Sequence, residues 1–72
     1  MTGDDLEAAR RRLGLSVYQL GAALRLKGNR ASQGQYVREL ESGRRDLSGP
    51  VAVAVEAMLD GWRPAEISPR AE

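Results

Sequence analysis

Seventy-two residues with neither cysteine nor histidine exclude a disulfide framework, a zinc finger, a thiol nucleophile and a Ser-His-Asp triad, since each needs one of those side chains. The formal net charge of +1 conceals a segregation. Between Arg10 and Arg45 nine basic residues stand against two acidic ones, a local charge of +7, while the remainder holds eight acids and two arginines, a charge of −6.

A basic middle between acidic ends is the asymmetry expected of a chain that turns one face to a polyanion. Arginines that merely solvate helix surfaces are the plainer alternative. A chain this short buries only about 60% of the surface it exposes when unfolded, and its core supplies about 3–5 kcal/mol unless a partner subunit adds more. Asp, Glu and Lys remain as chemistry-bearing residues, but no spacing among them suggests a catalytic pair. Neither an enzyme, nor a metal site, nor a small-molecule cofactor is expected. The start, MTGDDLEAARRR, holds no apolar run of a signal peptide, and the stretch Val51 to Val55 is far too short to span a bilayer. A cytoplasmic protein is the default expectation.

The first predicted helix opens at Thr2, with Asp5 three residues on, the spacing of a capping box. Asp4, Asp5 and Glu7 put negative charge at its positive end, and Arg10, Arg11 and Arg12 put positive charge in its last turn. Leu6, Ala9 and Leu13 form one apolar stripe, and Gly14 suits the left-handed residue that closes the helix. A second box, Ser16 with Gln19, starts a helix from about Val17 to Leu26 that buries Leu20, Ala23 and Leu24. Leu15 and Leu20 add a hydrophobic staple across its start. Gly21 inside it costs about 1 kcal/mol of helix propensity relative to alanine.

A third box, Ser32 with Gln35, predicts a helix from Gln33 to about Ser42 ended by Gly43, with a weak staple between Ala31 and Tyr36. Val37 and Leu40 point inward and Tyr36 is half buried. Gln33, Gly34, Gln35, Arg38 and Glu39 occupy the opposite face. Two short helices so close together suggest a helix-turn-helix, whose second helix can enter a DNA major groove. In the fourth helix Ser48 or Gly49 is the cap, Pro50 lies in the first turn, and the helix runs to about Asp60 with Gly61 as stop. Alternating Val and Ala favour a strand, but Val51, Val55, Met58 and Leu59 make one helical stripe between capping residues, and helix is the reading adopted. Val53 and Ala57 fall on a second apolar face, more than one small core needs, which suggests a partner subunit. Trp62 and Ile67 either pack back on the domain or join a dimer contact.

The run Gly14-Leu15-Ser16, then Gln19-Leu20-Gly21 and Leu24, and later Val37, Leu40, Glu41, Gly43 and Arg44, resembles the helix-turn-helix of lambda-repressor/Cro-like (XRE-type) regulators. The likeness covers about residues 4 to 60. It departs at the turn, where this chain inserts Lys27-Gly28-Asn29-Arg30-Ala31 before Ser32. The resemblance implies an all-α, compact domain of four helices, with a fifth left open, over residues 1–62, and a tail, 63–72, that is packed back, in the dimer contact or disordered. It further implies a small residue at Gly21 so that two helices approach closely, an ion pair between Arg10 and Glu41, and phosphate contacts from Arg44 and Arg45.

Residues at the start of a recognition helix meet base edges. Gln binds adenine and Arg binds guanine bidentately, each pairing worth about 1–3 kcal/mol of discrimination. Gln33, Gln35 and Arg38 are the expected base readers, with Tyr36 stacking on sugar or touching a thymine methyl. Gln35 must choose between capping and reading. Glu39 repels phosphate unless it accepts from cytosine or a neighbouring arginine. Gly34 either permits close backbone approach to DNA or is neutral. Lys27, Asn29 and Arg30 are expected on the DNA backbone, and Val53, Ala57 and Trp62 in a dimer contact. The expected function is a sequence-specific DNA-binding transcription regulator, foremost a repressor, that binds a palindromic operator as a homodimer. The alternative is a helix-turn-helix assembly or DNA-packaging module.

Overall fold

Each of the four helices begins where a side-chain oxygen satisfies one of the backbone N–H groups that a helix leaves open at its start. The structure, a computed structural model, describes residues 1–66; Ile67 and the rest of the tail lie outside the described residues. Helix α1 spans Gly3–Leu13, α2 Val17–Ala23, α3 Arg30–Ser42 and α4 Gly49–Leu59. Among the described residues there is no strand and no fifth helix, so the fold is all-α. None of the four helices is long and apolar enough to cross a membrane.

The Thr2–Asp5 box is closed from both sides, at 3.1 Å and 3.0 Å, and the Ser16–Gln19 box at 3.0 Å and 2.8 Å. The bond from the Thr2 backbone holds the Asp5 carboxyl below its ordinary pKa. Gly14 closes α1 in the left-handed conformation at φ 73°. Ser48 caps α4, with Pro50 in its first turn.

Two boundaries differ from expectation. Helix α2 stops at Ala23, three residues before Leu26, because Arg25 adopts the left-handed conformation at φ 56°. The Arg25 and Leu26 N–H groups then turn back to the carbonyls of Ala22 and Gly21 at 3.0 Å and 3.2 Å, the pairing that closes a helix end and usually recruits glycine. Helix α3 starts at Arg30 rather than Gln33. Its cap is Asn29, whose Oδ1 accepts from the Ser32 N–H at 2.9 Å and from the Ser32 hydroxyl at 2.8 Å. Ser32 is therefore a residue of the first turn, its box with Gln35 is not formed, and Ala31 and Tyr36 no longer stand in staple positions. Asparagine caps as well as serine does. Gly28, at φ 98°, reverses the chain just before it, so the earlier start adds nearly a turn of helix.

The core joins all four helices. Leu6, Leu20, Val37, Leu40, Val55 and Met58 are fully buried, and Val51 and Leu59 of the α4 stripe pack against them half buried. Helix α3 packs most extensively on α2 and also lies against α1, while α4 lies against α1. At the α2–α3 crossing Gly21 has no room for a side chain. A Cβ there would meet the Gln33 Cβ at 2.8 Å and its backbone at 3.0 Å, so the propensity lost at Gly21 is offset by close helix contact. The described part of the tail folds back: Pro64 is buried, Arg63 donates to the Met58 carbonyl at 2.5 Å, and Glu66 pairs with Arg25 at 2.9 Å.

Candidate nucleic-acid interface

Helix α3 is held by groups on both sides of it. The Arg10 guanidinium grips Glu41 with two bonds, Nε to Oε2 at 2.6 Å and Nη2 to Oε1 at 3.2 Å, and its Nη1 donates to the Leu15 carbonyl at 3.0 Å. One cation thus ties α1, the segment before α2 and the last turn of α3. Both side chains are largely shielded, at 15% and 10% exposure. The Glu41 bond raises the Arg10 pKa further above its already high ordinary value, so the guanidinium keeps its charge.

With Val37 and Leu40 buried, the outward face of α3 carries Ala31, Ser32, Gln35, Arg38 and Ser42, all exposed. Gln35 and Arg38 of the expected readers lie here. Gln33 does not: it is half buried, and its Nε2 donates to the Leu26 carbonyl at 2.6 Å. Its amide satisfies a backbone group left open at the end of α2, which removes it from the outward face. Tyr36 is half buried, with the Arg45 guanidinium 4.5 Å from its ring centre. Gly34 is buried, not outward. The ring of Tyr18 fills the place of the missing side chain, so close that a Cβ at Gly34 would lie 2.4 Å and 2.5 Å from two ring carbons.

The expected backbone contacts divide in the same way. Lys27, Arg30 and Arg44 are exposed and form no ion pair with any described residue. Asn29 spends its side-chain oxygen on the α3 cap. Arg45 donates to Glu39 Oε1 at 2.5 Å, and Gln35 reaches the other oxygen of Glu39 at 3.3 Å. The Arg45 bond holds the Glu39 carboxyl below its ordinary pKa. Glu39 therefore accepts from a neighbouring arginine, one of the two outcomes the sequence left open, and neutralises Arg45 in doing so.

Ion pairs thus absorb four of the nine central cations: Arg10, Arg11, Arg25 and Arg45. The five central cations that form no ion pair with a described residue are Arg12 at the end of α1, and Lys27, Arg30, Arg38 and Arg44. The last four are strung from just before α3 to just after it. This arrangement suits an extended polyanion, and no group of three or more potential metal ligands occurs among the described residues.

On α4 a different surface stands open. Val53 and Trp62 are 65% and 51% exposed, and with Pro50, Ala54 and Ala57 they line a shallow apolar groove. The expected contact residues Val53, Ala57 and Trp62 are therefore brought together on one face. Sequence reasoning did not single out Tyr18 or the cap at Asn29. No spacing within α3 signals that the Tyr18 ring covers Gly34, because that contact is made by the crossing of α2 over α3.

Comparison with known proteins gives no match: no family model, no curated protein and no solved structure is significantly similar to the chain.

Proposed function

We propose that the chain is a sequence-specific DNA-binding transcription regulator, a small repressor of the lambda-repressor/Cro-like (XRE-type) helix-turn-helix kind. The observation that carries this reading is the state of α3. It is clamped by Arg10–Glu41 and by close packing at Gly21, yet its outward face keeps Gln35 and Arg38 exposed between unpaired cations. A rigid helix with polar tips and flanking positive charge is what major-groove reading requires.

In this mechanism α3 enters the groove and Arg38 binds guanine N7 and O6 as a fork. Gln35 reads adenine once its amide leaves Glu39. Lys27, Arg30 and Arg44 take phosphates and set the register. Gln33, Asn29 and Arg45 drop out of direct contact, since each is spent on holding the domain together. Two copies joined through Val53, Ala57 and Trp62 place two α3 helices about one DNA turn apart on a palindromic operator. The bound dimer then excludes polymerase from a promoter in the cytoplasm.

The exposed Val53–Trp62 face favours a second reading, an assembly or DNA-packaging module in which the arginines only steer. Salt titration on an operator duplex and its scrambled counterpart separates the two. A repressor retains a preference of about 10³-fold or more, whereas a packaging module binds both duplexes alike.

A further inference from the structure

Tyr18 belongs to α2, yet its ring lies on the surface of α3. It occupies the place where Gly34 has no side chain, and two cations gather around it. The guanidinium carbon of Arg30 is 4.8 Å from the ring centre and that of Arg38 is 5.6 Å away. Arg38 also donates to the Tyr18 hydroxyl at 3.4 Å. Along α3 these arginines stand eight residues apart, about 12 Å of helix. Without a body between them their long side chains would sample separate volumes. Both arginines are exposed and form no ion pair with any described residue.

We infer that Tyr18 is a positioning residue for DNA contact: it gathers Arg30 and Arg38 on one aromatic platform and orders them before the duplex arrives. The inference rests on the DNA-binding reading above. An arginine that is free in solution loses its rotamer freedom when it docks, and that loss subtracts from affinity. A guanidinium already resting on a ring face has lost part of that freedom beforehand, while its outward N–H groups stay available. Arg30, in the first turn of α3, is thereby presented to a backbone phosphate. Arg38, one turn beyond Gly34, is presented to a base edge. The missing side chain at residue 34 is part of the device, because any Cβ there displaces the ring.

The test is a binding cycle on a duplex that the wild-type chain selects from a random pool. Tyr18→Leu keeps an apolar group over Gly34 and is expected to weaken binding about tenfold. Tyr18→Phe keeps the platform and stays within about twofold of wild type. In a chain already carrying Arg30→Ala and Arg38→Ala, Tyr18→Leu should have no further effect beyond about twofold, the non-additivity of groups that act together. An equal loss in both backgrounds means that Tyr18 acts only through packing, and overturns the inference while the DNA-binding reading stands. A wild-type chain that prefers no duplex removes that reading and the inference with it. A measurement on the free wild-type chain does not depend on any variant folding. NMR order parameters of the guanidinium Nε–H groups should be higher at Arg30 and Arg38 than at Arg44, and equal disorder at all three refutes the platform.

Discussion

Removing the Glu41 carboxylate is the sharpest test of how α3 is held. Glu41→Ala deletes two of the three bonds of the Arg10 guanidinium and leaves only the one to Leu15. Breaking a fully buried ion pair costs about 3–5 kcal/mol, and an exposed one about 0–1 kcal/mol. At 15% and 10% side-chain exposure the pair stands between these limits, and a loss of about 2 kcal/mol follows. That is about half of what so small a core supplies. In a domain of this size each kcal/mol moves Tm by about 4–8 °C, so a fall of about 10 °C is expected by circular dichroism. Arg10→Met combined with Glu41→Leu should recover most of it, because an apolar pair of similar volume leaves no charge unpartnered. A Tm for Glu41→Ala within about 2 °C of wild type would refute the clamp.

Asn29→Ala, which removes the α3 cap, should lower stability by about 1 kcal/mol in urea unfolding. Ser32→Ala should cost clearly less, and the reverse order would restore Ser32 as the cap. Gly21→Val forces a side chain into the Gln33 backbone and should destabilise by about 1–3 kcal/mol in the same assay, through overpacking; an unchanged midpoint would mean that the helices can part freely. The carboxyls of Glu39 and Glu66, bonded to Arg45 and Arg25, and of Asp5, bonded to Thr2, titrate below their ordinary values of 4.5 and 3.8. In the unfolded chain they take up protons first as pH falls. Their contribution is thus complete above the ordinary values and is lost as pH drops through the lower folded ones. Tm should be level near neutrality and fall below about pH 4.5, with a shallower acid limb in Glu39→Gln; a Tm unchanged between about pH 6 and pH 3 would contradict this.

What could be read from the sequence was local chemistry. The boxes at Thr2–Asp5 and Ser16–Gln19, the closing Gly14, and the Pro50 turn each depend on residues within a few positions of one another, and all form. The Val and Ala alternation of α4 resolves to helix because its caps and its stripe agree. The α3 start misled because two caps overlap: Asn29 with Ser32 and Ser32 with Gln35 have the same spacing, and only the turn at Gly28 decides between them. The α2 end misled because an arginine takes the left-handed place where glycine is usual. The site was harder. That Gln33 serves the Leu26 carbonyl follows from the corrected end of α2. That Gly34 lies beneath Tyr18 depends on how α2 crosses α3, which no spacing within α3 encodes. That Arg45 pairs with Glu39 depends on the turn after α3, which brings the two side chains within reach of each other.

Selection of bound duplexes from a random pool, with wild type beside Arg38→Ala and Gln35→Ala, bears most directly on the claim that α3 reads sequence. The expected outcome is one enriched, twofold-symmetric motif for wild type. Arg38→Ala should relax a guanine position and Gln35→Ala an adenine position, each by about 1–3 kcal/mol. A pool that stays random, or a motif that both substitutions leave untouched, would contradict it.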